Sequence, residues 1–157
     1  MNTSHIFAFA FGIGVVAGLR SLTAPAAVSW SVYLGWLSLE GSPLAFMGSI
    51  AAVVTFSLLG IGELIADLLP RIPKRTAPAP LIARILTGSL CGACLCVSVN
   101  QPLPVGALLG GIGGVIGAFA GYEVRRRLVS SLNIKDIFIA LPEDLIAIGL
   151  ALFLVSR

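Results

Sequence analysis

Apolar residues run along this chain in long blocks that short polar stretches interrupt. Ser21–Leu39, Leu44–Gly62 and Ile85–Tyr122 contain no charged residue. Blocks of that length are what bilayer-crossing helices require, at roughly 20 apolar residues each. The pattern divides into six segments: Ile6–Leu19, Ala24–Leu37, Leu44–Leu69, Leu81–Val99, Val105–Tyr122 and Glu143–Ser156. The breaks have local causes. "LEGSP" (Leu39–Pro43) and "NQPLP" (Asn100–Pro104) are turns, and the two prolines of the second remove backbone donors. Pro142 followed by Glu143 and Asp144 predicts a helix start, with proline at the first position and acids in the first turn.

The first, second and last segments hold about 14 residues, or ~21 Å at helical rise, short of a ~30 Å hydrocarbon core. The first two can therefore be separate spans or one broken, re-entrant element. The expected fold is an all-α, polytopic transmembrane bundle in a single domain over residues 1–157. It has six spans, or five if the first two segments form one element.

Composition supports lipid as the solvent. The chain is 57% hydrophobic and 11% charged, with a mean hydropathy of +1.03, where a soluble domain carries about 25% charged residues. The N-terminal apolar run has no Lys or Arg before it, so it reads as a retained helix rather than a signal peptide. The net charge of +3 bears on orientation more than on partners. Arg71, Lys74 and Arg75 occupy one loop, and Arg125, Arg126, Arg127 and Lys135 another, two helices later. The opposite loops carry no Lys or Arg. The positive-inside rule therefore places the basic loops in the cytoplasm. The same arginines are expected to anchor topology or meet lipid headgroups. The cations are too dispersed for a nucleic-acid face; the expected partners are the lipid bilayer and a second copy of the chain.

Two patterns carry candidate function. Gly106, Gly110, Gly113, Gly114, Gly117 and Gly121 lie along one helical stripe. Such a stripe lets another helix approach closely, and Gly88 and Gly92 on the preceding helix can pair with it. The stripe serves packing within the chain, oligomerisation or a glycine-lined path. Glu63 and Asp67 share a helix face at i and i+4. They lie at a helix C-terminus, where the macrodipole disfavours them. Charge in lipid adds a few kcal/mol each on insertion scales. Arg84, at similar depth on the next helix, is the expected partner. Arg20, Glu143 and Asp144 map to the same boundary. These six residues form either a structural ion-pair network or the vestibule of a small transporter or channel.

Cys91-x-x-Cys94, with Cys96 beyond, admits a redox reading. However, it lies within an apolar helix without a second pair, and cysteine also serves as a small core residue. His5 is the sole histidine and is distant in sequence from the thiols, so neither a metal nor a cofactor is expected. No phosphate loop, nucleophile elbow or Ser/His/Asp set is present. An acid-based lipid-modifying enzyme is the weakest alternative. Transport-like function leads, and a structural or lipid-interacting role is its rival.

"FGIGVVAGLRSLTAPA" (Phe11–Ala26) parallels "LGIGELIADLLPRIPKRTAPA" (Leu59–Ala79), and "GGIGGVIGAFAGYEVRRR" (Gly110–Arg127) echoes the first half, as a duplicated helix–turn–helix would. "AGLRSLTAPAAVSW" (Ala17–Trp30), "GELIADLLPRIPKRTAPAPLIARILTGSLCGA" (Gly62–Ala93) and the "LPEDLIAIGLALFLV" end resemble a bacterial membrane family known as domain of unknown function 4126. Gly-Leu-Arg-Ser and Arg-Thr-Ala-Pro are the most specific parts. The resemblance covers nearly the whole chain and implies a small inner-membrane protein. It brings no catalytic residues.

Overall fold

The computed structural model describes residues 3–66, 78–132 and 137–156. These residues form α1 (Thr3–Leu19), α2 (Thr23–Tyr33), α3 (Ile50–Ala66), α4 (Pro78–Val97), α5 (Leu103–Leu132) and α6 (Ile137–Val155), with a one-turn 3₁₀ helix at Ala45–Gly48. No strand occurs among the described residues, so the protein is all-α. Two of the helices, Pro78–Val97 and the Leu103–Leu128 part of α5, are long and apolar enough to cross a membrane.

Several boundaries differ from those the hydropathy predicts. The third apolar block breaks at Ser49, whose backbone is extended. Its Oγ accepts the Ala52 amide at 3.1 Å, a side-chain N-cap that starts α3 at Ile50. The second block stops being helical after Tyr33, and Gly35 adopts φ +77°. α5 continues ten residues past Tyr122, for 30 residues in all, or ~45 Å. α6 begins at Ile137, so Pro142 lies inside the helix instead of opening it. α4 ends as expected near "NQPLP". The Asn100 amide reaches the Val97 carbonyl and the Gln101 amide the Cys96 carbonyl. Asn100 itself has φ +57°. This is a Schellman closure, in which asparagine takes the left-handed position that glycine commonly fills.

Contacts between helices fix their directions. Glu63, near the end of α3, reaches Ser21 and Leu22 at the start of α2, while Trp30 reaches Ser57; α2 and α3 are antiparallel. Arg84 lies at the end of α1 and Arg20 meets Asp144, so α4 and α6 both run opposite to α1. α1, α3 and α5 therefore head toward one end of the bundle, and α2, α4 and α6 leave it. α1 and α2 are two antiparallel arms joined by a tight turn at Arg20–Leu22.

The densest packing joins α1, α4 and α5, and glycine is its cause. A Cβ added to Gly110 would fall on the Gly88 carbonyl, and one added to Gly92 on the Gly106 carbonyl. The stripe expected to meet one helix in fact meets two. Gly106, Gly110 and Gly114 lie against the α4 backbone at Gly92, Gly88 and Arg84. Gly113 and Gly117 lie against the α1 backbone at Phe11 and Val15. Gly121 is also buried. α1 contributes Gly14 and Gly18, which abut Gly110 and Gly114. The Gly14-x-x-x-Gly18 spacing was the available signal for this face. A second cluster, with Ile13, Val28, Leu39, Met47, Cys91, Leu95, Ala147 and Val155, fills the centre of the bundle. Cys91 and Cys94 are free and buried there as small apolar residues, and Cys96 is free and buried against Gly106 of α5.

The glycine contacts predict unequal effects of one added methyl. Gly110→Ala should lower stability by about 2 kcal/mol or more, because backbone must move to admit it. Gly149→Ala meets nothing within 4 Å and should be neutral or gain ~0.5–1 kcal/mol from reduced chain entropy. Thermal unfolding of both variants in detergent checks this.

Candidate functional site

The α1–α2 turn poses a local problem. α1 ends with carbonyls that have no helical partner, and α2 begins with amides in the same position. The two ends lie at the same end of the bundle, and the residues at the turn do not solve the problem themselves. Leu22, the N-cap of α2, has no capping side chain.

Three other helices supply the missing groups. From α3, Glu63 accepts the Ser21 amide at 2.9 Å and the Ser21 hydroxyl at 2.8 Å through Oε1, and the Leu22 amide at 2.9 Å through Oε2. It is thus an N-cap for α2 delivered from elsewhere in the chain. Charge-assisted bonds of this kind contribute roughly 1.5–3 kcal/mol each. From α4, Arg84 donates through one guanidinium nitrogen to the carbonyls of Gly18 and Leu19, the latter at 3.0 Å. A cation at a helix C-terminus also opposes the negative end of the dipole. From α6, Asp144 pairs with Arg20. Arg20 is 1% exposed and Arg84 7%, so both charges are removed from the surroundings.

The acid that looked misplaced is therefore well placed. Glu63 lies near the C-terminal end of its own helix, where the dipole opposes it. It also lies at the N-terminal end of α2, where the dipole favours it. Of the two acids expected to meet Arg84, Glu63 binds backbone amides and a hydroxyl instead, while Arg84 donates to the α1 carbonyls on the other side of the turn. Depth along the helices, which suggested the pairing, sets the level of a side chain but not the direction it faces. Asp67 lies outside the described residues, as do Arg71, Lys74 and Arg75.

The rest of the predicted cluster lies at the same end. Glu143 approaches Arg125 at 3.7 Å and ties α6 to α5. Arg126 and Arg127 share the Glu123 carboxylate at 3.1 and 2.8 Å and are 63% and 78% exposed. Arg125 is thus a packing contact between helices, whereas its two neighbours face outward. Ser21, Leu22, Gly18 and Leu19 are site residues that sequence reasoning missed. They act mostly through backbone atoms, which leave no residue-type signature. Among the described residues, no three His, Cys, Asp or Glu side chains gather as a metal site would need.

The Arg20–Asp144 pair should behave as a buried ion pair. Asp144→Asn is expected to cost roughly 3–5 kcal/mol, because it removes the negative charge opposite a buried guanidinium. Joint replacement, Arg20→Leu with Asp144→Leu, should recover most of that loss. Melting temperatures of the single and double variants measure it. Separately, Glu63→Ala should raise hydrogen exchange at the Ser21 and Leu22 amides by about tenfold or more, as read by mass spectrometry. No protein-family model, curated protein or solved structure matches this chain.

Proposed function

We propose that this chain is a polytopic membrane protein whose role is structural or lipid-interacting, and that its charged end is a closed latch rather than a conduit. The observation that carries this reading is the distribution of polarity. The described charges at the α1–α2 turn are directed inward onto helix ends and one another. The outer faces carry Leu58, Ile65, Leu86, Leu108, Ile112 and Leu145, all at least half exposed. Side chains of that size on the outside suit hydrocarbon better than water. The alternation of helix directions fits six crossings, with Arg126 and Arg127 on the cytoplasmic side of a bacterial inner membrane. Membership of the family of unknown function that the Gly-Leu-Arg-Ser and Arg-Thr-Ala-Pro stretches resemble is part of the same proposal.

Transport is the second reading, and one observation favours it. Two helix ends meet buried charges inside an apolar bundle, as at the broken helices of many transporters. The latch reading is preferred because Glu63 and Arg84 occupy the very helix ends that a cargo would use.

Proteoliposomes separate the two readings. The wild type should resist carbonate extraction from membranes and show no ion or dye flux above protein-free vesicles. A saturable flux that Glu63→Gln abolishes would establish transport and remove the latch proposal.

A further inference from the structure

The six helices divide by how they touch. α1, α4 and α5 meet backbone to backbone: a Cβ added at Gly14, Gly18, Gly88, Gly92 or Gly110 would land on the main chain of another of the three. α2, α3 and α6 carry glycines that lock nothing. A Cβ at Gly60 comes no closer than 3.7 Å to the Leu22 carbonyl, and one at Gly149 meets nothing within 4 Å. Between the two groups the contact is made by side chains. Where α1 meets α6, a Cβ at Gly12 would touch the tip of the Leu154 side chain at 3.2 Å. Ile13 and Cys91 of the first group share the central cluster with Val28, Leu39, Met47 and Ala147 of the second. A seam of side chains can part by changing rotamers, whereas apposed backbones cannot.

The two ends of this seam are fastened differently. At the charged end, Asp144 pairs with Arg20, Glu143 approaches Arg125, and Glu63 holds α3 to the turn that closes α1. At the opposite end lies the chain after α2, with Leu39 2% exposed and Met47 0%. Met47 Sδ accepts the Ser29 hydroxyl at 4.0 Å, a contact within the second group. Charged bonds therefore pin one end, and apolar packing closes the other. Elements held by few buried contacts are those that open first in a native protein.

We propose that α2, α3 and α6 form a body that swings on the charged end, so that its seam against α1, α4 and α5 opens at the Leu39 end while the latch stays closed. The opening is one-sided and makes no path past Arg20 and Arg84. The two-body division follows from the packing alone; the position of the hinge rests on the latch reading above.

The native thiols report on the seam. Cys91 and Cys94 lie on α4 away from Gly88 and Gly92, by the ~100° per residue rule, in the cluster that opening uncovers. Cys96 packs on Gly106 inside the first body and stays covered. The protein in detergent is treated with N-ethylmaleimide, and each site is followed by fragment mass spectrometry relative to the same thiol in denatured protein. Cys91 and Cys94 should be modified about tenfold or more faster than Cys96. Leu39→Ala loosens the far end and should speed both by a further factor of about ten or more, with Cys96 unchanged; unfolding would speed all three. In Leu39→Ala the Ser21 and Leu22 amides should keep their wild-type hydrogen exchange. Equal rates at the three thiols would overturn the two-body division. Exchange at Ser21 and Leu22 that rises in step with labelling would overturn the hinge. Failure of the latch reading itself shows separately, as flux in proteoliposomes.

Discussion

Two helix ends that meet at one turn govern the architecture. A helix that stops within a packed bundle exposes backbone groups, each costly if buried without a partner. The chain stops α1 at Leu19 and restarts at Thr23, so it creates both kinds of exposed end within a few residues. Glu63 and Arg84 answer them from two other helices, and the Arg20–Asp144 pair brings in a third. The turn thus gathers α3, α4 and α6 around it. Each of these charges would be unfavourable alone at that depth, and each becomes favourable because a helix end or an opposite charge needs it.

The bundle combines two kinds of adhesion. At the α1–α4–α5 contact, backbone meets backbone through glycine. At the α1–α2 turn, directional bonds to charged groups set register and angle. The first tolerates no added atom and the second tolerates no lost one. Their failures should differ: overpacking strains the glycine face, whereas truncation at the turn leaves buried polar groups without partners.

Much of this was legible in the letters, for identifiable reasons. Helix packing through small residues depends on spacing, and spacing is visible; hence the α4–α5 contact at Gly88, Gly92, Gly106 and Gly110 could be anticipated. The clustering of Arg20, Glu63, Arg84 and Asp144 at one end followed from their depth along apolar segments. The pairing within the cluster did not follow, because Glu63 and Arg84 bind amides and carbonyls that every residue possesses. The start of α6 was misread because proline is favoured at a first helical position yet is tolerated inside a helix when neighbours satisfy the freed carbonyl. The second segment was read too long because Leu34–Leu37 stays apolar after the backbone has turned at Gly35.

The glycine contact has a thermodynamic consequence. Ordering a leucine or methionine at an interface removes rotamer freedom, at up to ~1.5–2 kcal/mol for the most flexible side chains. Gly14, Gly18, Gly88, Gly92, Gly106 and Gly110 have no rotamers to lose. When α1, α4 and α5 associate as helices already formed, the entropy lost at this seam is confined to rigid-body motion. The attraction is short-ranged dispersion between closely apposed backbones, so it acts all at once or hardly at all. The three helices should therefore separate as a unit, in a sharp transition, rather than loosen residue by residue.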